Sequence, residues 1–434
     1  MKILQVIHGY VPDYNAGSEN YTSTIINELL SRGHRITVFS RIEDPFQEEY
    51  NLVLKTYNSN FKHYTINLAR TKDRFISKDV DNAFEKILKE VDPDIVHFQH
   101  LNHLSLTLPK LVREHGIPSI YTLHDFWLMC PRGQFLQMNL SGEPWNLCDG
   151  QENSKCATVC YSRYHTGEYA ESFDKDYWKD WVDKRMASAM EAIKNIDLFI
   201  SPSNTVTDSF LSSFGEENKV IYIDYGFDLK RLKGRTRIRE PGVFVFGYIG
   251  THIPAKGIKY LIEAFSKLKS NAILRIWGRE KGEFTPYLKK FAISLGEQVY
   301  TKIQWMGEFN GDRIVEEVFN NVDCIIVPSI WLENSPLVIH EAQQARVPII
   351  TANAGGMAEY VHEGVNGVLF NFRDTTSLAD KMDYAITNPD AVIKLGNRGY
   401  AFSLTGDVPS VEEHVNEILG VYSTLISQYK TTKK

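Results

Sequence analysis

Short apolar runs rich in valine and isoleucine alternate along this chain with longer stretches in which apolar residues recur at helical spacing. Such alternation buries parallel strands between two layers of helices, because a strand covered on both faces reads as a continuous hydrophobic run. In the first half, strands are expected at residues 3–7, 36–40, 95–99, 119–123 and 198–202. A second series opens at residues 243–250 and continues at 273–277, 303–306, 324–327 and 348–351. The rhythm starts afresh there, so two α/β domains are expected. Between them run Tyr225-Gly226-Phe227-Asp228, the basic stretch Lys230-Arg231-Leu232-Lys233-Gly234-Arg235 and Pro241-Gly242, a composition suited to a linker. The domains are accordingly drawn at residues 1–228 and 229–408. After them Val411, Val415, Ile418, Leu419, Tyr422, Leu425 and Ile426 recur at helical spacing with no strand to follow. Residues 409–434 are expected to form a helix that returns to the first domain.

Length and charge narrow the possibilities. With 434 residues, 43% hydrophobic and 24% charged, the chain can bury two ordinary cores. The 54 acidic against 48 basic residues leave a net charge of -6, which argues against nucleic acid as a partner. Lys62, Arg70, Lys72, Arg74 and Lys78 leave peripheral contact with a membrane surface open, although a solvated face accounts for them as well. No apolar run reaches the roughly 20 residues that span a bilayer. The opening residues 1–8 read as a first strand rather than a signal peptide, so a cytoplasmic location is expected, at the inner face of the membrane if the acceptor lies there. One region breaks the rhythm: residues 130 to about 174 hold few periodic apolar positions before an amphipathic helix at 178–195, the mark of an inserted loop that is either functional or disordered.

The most informative segment is Trp331-Leu332-Glu333-Asn334-Ser335-Pro336-Leu337-Val338-Ile339-His340-Glu341-Ala342, which follows a strand ending Val327-Pro328-Ser329. Ligands of doubly wound sheets sit beyond the carboxyl ends of strands, where helix N-termini present unpaired N–H groups. Ser335 and Pro336 read as the start of such a helix, proline being tolerated at its first position. Glu333 then stays in the loop while Glu341 lies more than one turn into the helix. One carboxylate can reach hydroxyls of a reacting sugar and the other a ribose diol, with a helix N-terminus suited to a diphosphate between them.

Glu333 and Glu341 form a Glu-x7-Glu pair that resembles the one in family 4 glycosyltransferases of the GT-B fold. Pro348-Ile349-Ile350-Thr351, Gly355-Gly356-Met357-Ala358-Glu359 and Gly364-Val365-Asn366-Gly367 are similar to that family as well. The resemblance implies two facing Rossmann-like domains. It also implies a nucleotide-sugar donor held on the second domain by Asn334, Ser335, Pro336, Leu337, Val338 and Glu341, with Glu333 at the reacting sugar. After the first strand of that domain the family carries Gly-Arg and then Lys-Gly, whose two cations grip the donor diphosphate. Here Gly250-Thr251-His252-Ile253-Pro254-Ala255-Lys256-Gly257 keeps Lys256 and puts Thr251 where the arginine usually stands. In the first domain, Gly17 and Ser18 resemble the glycine loop facing the leaving diphosphate, and Ser18 is a good helix cap. Neither a dinucleotide fingerprint nor a P-loop is present. His124, at the end of the strand 119–123, matches a family histidine near the donor sugar, and Asp125 is expected to fix its orientation and charge. His8, His97, His100 and His103 are further candidates for the acceptor side.

The reaction implied is transfer of a sugar from a UDP- or GDP-sugar to a glycan or lipid-linked acceptor, with retention at the anomeric carbon and no cofactor for catalysis. A nucleotide-sugar epimerase, which shares the double fold, and a non-catalytic sugar-nucleotide-binding protein are the alternatives. Asp92-Pro93-Asp94 imitates a metal-binding Asp-x-Asp, but it precedes its strand and so lies at the wrong end of the sheet. With Asp79/Asp81 and Asp174/Asp176 it reads as turn or cap chemistry. Four of the five cysteines, Cys130, Cys148, Cys156 and Cys160, fall in the insertion with the spacing C-x17-C-x7-C-x3-C. Clustering without a secretion signal points to a metal or to reactive thiols. The spacing lacks the C-x2-C pairs of familiar zinc modules, and a structural zinc stapling the insertion stands beside a disulfide pair or four free thiols.

Overall fold

The computed structural model describes residues 1–69, 75–137, 145–161, 172–215, 219–239 and 242–432. The chain divides into two compact units, residues 1–143, 148–226 and 411–434 in the first and residues 144–147 and 227–410 in the second.

The first unit is built on an eight-stranded sheet of β1 (Lys2–Ile7), β2 (Arg35–Ile42), β3 (Leu52–Asn58), β4 (Phe61–Asn67), β5 (Ile95–Phe98), β6 (Ser119–Thr122), β7 (Leu198–Ser201) and β8 (Val220–Tyr222). Their order is β8-β7-β6-β5-β1-β2-β4-β3, and all neighbours run parallel except the edge strand β3. Ile3, Leu4, Val6 and Ile7 of β1 are wholly buried, as are Ile95, Val96 and Phe98 of β5. That two-sided burial is why these strands read as unbroken apolar runs. Strands β3 and β4 have no such signature. β3 exposes Val53, Leu54 and Tyr57 at the sheet edge, and β4 buries a polar residue, His63, whose Nε2 meets Ser40 Oγ at 2.8 Å.

Helix α1 (Gly17–Ser31) follows β1 and buries Tyr21, Thr22, Ile25, Ile26 and Leu29 on one face. Helix α2 (Lys78–Val91) leads into β5. The C-terminal helix, Val411–Thr432, belongs to this unit: Tyr21 Oη lies 2.7 Å from His414 Nε2, and Val415, Ile418 and Tyr422 are fully buried. Within the insertion, a short helix, Asn153–Lys155, runs into the π-helical turn Cys156–Tyr161. The helix after it, α3 (Ser172–Asn195), begins earlier than residue 178. Cys156 and Ala157 pack on Trp178, Val182 and Met186 of α3 in a small core of their own. Of the basic residues weighed for a membrane surface, Arg70, Lys72 and Arg74 lie outside the described residues, and Lys62 stands 4.0 Å from Glu90 Oε1.

The second unit carries six parallel strands, β9 (Phe244–Ile249), β10 (Ala272–Trp277), β11 (Ile303–Gly307), β12 (Cys324–Val327), β13 (Ile349–Ala352) and β14 (Val368–Phe370), in the order β11-β10-β9-β12-β13-β14. This is the strand order of a doubly wound nucleotide-binding sheet, whose connections reverse direction between β9 and β12. The stretch expected to be a linker is instead fastened to this unit. Arg235 donates through Nε and Nη2 to the carbonyls of Phe319 and Val322, each at 3.0 Å, and Arg237 Nε meets Asp323 Oδ1 at 2.9 Å. Among the described residues, no helix is long and apolar enough to cross a membrane.

Candidate active site

In the second unit the chain leaves β9 through Gly250 and Thr251, turns at Pro254–Lys256 and enters helix α4 (Ile258–Ser266). It leaves β12 through Pro328 and Ser329 and enters helix α5 (Leu337–Gln344). The two loops open side by side at the switch point, the place where doubly wound sheets take their ligands. They are tied together: Ile330 N donates to Ala255 O at 2.9 Å. Gly257, at φ 72, runs so close to the neighbouring loop that a Cβ would stand 1.8 Å from Pro328 O, so no side chain fits there. Across this junction Lys256 Nζ meets Glu333 Oε1 at 2.8 Å, and Ser329 Oγ donates to the same oxygen at 2.5 Å. Lys256 Nζ also lies 5.6 Å from the centre of the Trp331 ring.

Glu333 has a left-handed backbone, φ 48, with its side chain only 6% exposed. A non-glycine residue in that conformation is strained by about 1–2 kcal/mol, and such strain persists only where the surroundings impose it. Gly355 and Gly356 do so: Gly356 N donates to Leu332 O at 2.9 Å, and a Cβ on Gly356 would lie 1.3 Å from Asn334 O. Helix α5 begins after Pro336, which is its cap rather than its first residue and provides no side-chain hydrogen bond. The buried Ser335 Oγ beside it has no hydrogen-bond partner among the described residues. A helix N-terminus, an unpartnered hydroxyl and the Lys256 ammonium are the donor set that a diphosphate requires. Thr251 contributes no charge, and its carbonyl accepts from Tyr248 Oη at 3.4 Å.

Glu341, one turn into α5, accepts from Arg231 Nη2 at 2.5 Å, while Arg231 Nη1 holds Gly311 O at 2.9 Å. Burial opposes the charge of Arg231, and Glu341 more than restores it, so the guanidinium is held firmly protonated. Arg231 sits in the stretch read as linker, where nothing in the spacing sets it apart from its basic neighbours.

In the first unit the strand ends cluster histidines. His124 Nδ1 lies 2.7 Å from Tyr225 Oη and Nε2 lies 2.8 Å from Gln99 Oε1. Gln99 donates its own amide to Gln5 Oε1 at 2.9 Å, which turns its oxygen to the imidazole. Nε2 of His124 therefore carries the proton and Nδ1 accepts from the tyrosine. Burial, helped by His100, pushes the His124 pKa down to about 3, so the ring is neutral and locked at both nitrogens. Asp125 acts on the ring's charge, opposing the fall in pKa, but its hydrogen bonds go elsewhere: Oδ1 accepts from Trp127 N at 2.8 Å and Oδ2 faces His100 Nε2 at 3.4 Å. Ser18 is not the cap of α1 either. The helix starts at Gly17 after Ala16, and Ser18 Oγ donates to Glu19 Oε2 at 3.0 Å. Glu19 is a residue the motif reading missed, because an acid in a helix's first turn looks ordinary. It is buried and meets His8 Nε2 at 3.2 Å; burial alone would raise its pKa, but the His8 contact holds it at about 2. His8 and His100 stack edge to face at 4.6 Å.

The remaining candidates lie elsewhere in the first unit. His97 bridges Tyr422 Oη and Thr122 Oγ1, each at 2.7 Å, fastening the C-terminal helix to the sheet. His103 occupies a left-handed turn. Asp92 closes α2, Asp94 Oδ2 accepts from Lys2 N at 2.7 Å, Asp79 and Asp81 lie in the first turn of α2, and Asp174 and Asp176 lie on α3. Among the described residues no group of three or more His, Cys, Asp or Glu side chains is placed to hold a metal ion.

Comparison with known proteins agrees with this geometry. The sequence profile for Glycosyl transferases group 1 matches residues 234–402, and that for Glycosyltransferase Family 4 matches residues 16–231. An uncharacterized glycosyltransferase of Methanocaldococcus jannaschii is 30% identical over 143 residues, which are 32% of this chain and only 35% of that relative's length. A 42.6 kDa protein in the cps region of Klebsiella pneumoniae is 22% identical over 373 residues, 83% of this chain and 87% of its own. Among solved structures, Anabaena HepE in complex with UDP and glucose superposes with a TM-score of 0.68 at 16% identity, covering 98% of this chain and 100% of that one. Sucrose-phosphate synthase from Thermosynechococcus elongatus gives 0.67 at 14% identity, covering 99% and 98%. Two sheets of Rossmann type, the acidic pair on the second and profiles that together span most of the chain lead to one conclusion: this protein belongs to the family 4 glycosyltransferases and has their GT-B fold.

Proposed function

We propose that the protein transfers a sugar from a nucleoside diphosphate donor, a UDP- or GDP-sugar, to a hydroxyl of a glycan or lipid-linked acceptor, with retention of the anomeric configuration. The observation that carries this reading is the contact of Lys256 with Glu333 beside the unpartnered Ser335 hydroxyl at the start of α5. Lys256, Ser335 and the N–H groups of Leu337 and Val338 would bind the diphosphate, with Thr251 beside them and Asn334 and Pro336 shaping the loop. Glu341 would accept from the ribose hydroxyls and Glu333 from hydroxyls of the transferred sugar. Gly17 and Ser18, at the first-unit helix start, would face the leaving group. His124, neutral and held, would contact the sugar by shape and dipole rather than by exchanging protons.

As the glycosidic bond breaks, negative charge grows on the departing phosphate, and preorganised cations and N–H groups stabilise it most where it develops. In this mechanism the acceptor oxygen attacks from the leaving group's face, its proton passes to a donor phosphate oxygen, and no covalent enzyme intermediate forms. The activity belongs to polysaccharide or glycoconjugate synthesis, a setting consistent with a relative in the cps region of Klebsiella pneumoniae. The reading is tested by incubating the enzyme with a panel of nucleotide sugars and acceptors and following the first-formed product by NMR. Retained configuration and activity that survives EDTA are expected. An inverted product, or activity restored only by a divalent metal, would refute the mechanism, and nucleotide release with no need of an acceptor would point to an epimerase.

A further inference from the structure

We propose that Cys130, Cys148, Cys156 and Cys160 bind one thiophilic divalent cation, zinc in the cell, which clamps the insertion to the strand end bearing His124 and Asp125. The four residues come from separate places in the chain. Cys130 lies in the turn after β6, Cys148 follows the segment outside the described residues, and Cys156 and Cys160 are one turn apart on Cys156–Tyr161. Folding nonetheless brings all four side chains to the wall of a single small cavity, and none is in a disulfide. The fifth cysteine, Cys324, is buried in β12.

The cavity wall carries basic side chains as well as the sulfurs. Four thiolates on a divalent cation carry a net charge of -2, which needs cations and N–H donors around it. Arg132 and Lys155 line the same cavity, with Arg132 Nη1 3.9 Å from Cys160 Sγ and the Lys155 ammonium paired with Asp149. Four apolar thiols packed for bulk would have no use for such company.

The insertion also needs a staple. Among its described residues, Cys156 and Ala157 pack against one face of α3 and Phe135 and Leu136 are buried, a small core that a bound metal would reinforce. The sulfurs do not yet stand in a ligating arrangement. Cys148 Sγ is turned to Gly150 O at 3.0 Å, and reaching Zn–S separations of roughly 2.3 Å requires that side chain to rotate inward.

The clamp has a place to act. Cys130 N donates to Phe126 O at 2.7 Å, Gly133 N to Cys130 O at 2.8 Å, and Phe126 N back to Gly133 O at 3.3 Å. This closed turn starts at Asp125, whose carboxylate accepts from Trp127 N. Fixing the Cys130 sulfur therefore fixes the backbone on which His124 and Asp125 sit.

The test uses untagged full-length protein purified without chelator. Elemental analysis is expected to give about one equivalent of zinc per chain. Removing it with a strong chelator should lower Tm, and zinc should restore it. Cobalt added to the stripped protein should produce an intense thiolate-to-metal charge-transfer band, with visible bands of a tetrahedral site. Cys148→Ser should reduce both the metal content and the cobalt bands. The stripped wild-type protein keeps the test valid if that variant fails to fold. Metal-free native protein that shows no cobalt spectrum overturns the proposal, whether its thiols titrate freely or its mass reveals disulfides.

Discussion

Replacing Glu341 by alanine should weaken nucleoside diphosphate binding without disturbing the fold. One oxygen of Glu341 is occupied by Arg231 Nη2. A carboxylate has about four acceptor positions, so capacity remains for both hydroxyls of a ribose. Hydrogen bonds to a charged group contribute about 1.5–3 kcal/mol each. The diol displaces water from the carboxylate in wild type, so the net loss is set near one such bond rather than two. That corresponds to a rise in Kd of about 10- to 150-fold, measured by calorimetry with UDP and GDP. A second ligand isolates the cause: wild type should bind the 2′-deoxynucleoside diphosphate about tenfold more weakly than the ribose form, and Glu341→Ala should not distinguish them. Arg231→Ala should erode the same discrimination by letting the carboxylate turn, which a merely structural arginine would not do. A Glu341→Ala enzyme with unchanged affinity, or one that still prefers ribose as strongly as wild type, would refute the reasoning.

Lys256→Ala removes the ammonium 2.8 Å from Glu333 and should lower kcat/KM for transfer by about 100-fold or more, the scale seen when a transition-state donor is deleted; steady-state kinetics that match wild type would exclude that role. Acid should destabilise the first unit. Burial is the main force lowering the pKa of His124 and His97 to about 3 and of His63 and His414 to about 4, while Glu19 is held at about 2 chiefly by His8 against the opposing pull of burial. Unfolding releases the histidines to about 6.5 and the glutamate to about 4.5. Between those limits the unfolded chain binds more protons than the folded one, so stability is complete above about pH 7 and falls as pH drops, by up to about 1.4 kcal/mol per pH unit for each group. Thermal denaturation across pH 4–8 checks this (a range on the order of the histidine window), and a Tm that is level down to pH 4 would contradict it.

Most of the ten strands read from the sequence are buried on both faces, where apolar residues must run unbroken; β11, at the edge of its sheet, exposes Gln304 and Met306. β3 and β4 escaped because one is exposed at an edge and the other buries a histidine against a serine. β8 and β14 are three residues each, too short for any periodicity. In the candidate site, the placement of Glu333, Glu341 and Lys256 on neighbouring strand-loop-helix turns of one unit was legible from their spacing and from the family resemblance. Arg231 was not: its contact with Glu341 joins positions 110 residues apart, and a basic residue among basic residues carries no mark of its partner. Asp125 met expectation in its effect on the charge of His124 but not in its hydrogen bonds. Adjacency to His124 suggested a pair, but the backbone turn at residue 126 directs its carboxylate to Trp127 N and His100 instead.

The left-handed backbone of Glu333 sets durability against activity at a single position. Glycine there would relieve the strain, and it would also release a carboxylate held out of water. Lys256, about a third exposed, could return to solvent. Glu333→Gly should therefore melt no lower than the parent while losing transfer, and a clear fall in Tm would show that the ion pair outweighs the strain. If it holds, the identity of this residue becomes a record of selection. In a lineage that no longer transfers sugar, nothing opposes drift to glycine or asparagine at this position, so a relative that keeps glutamate on such a backbone is one in which the chemistry is still being used.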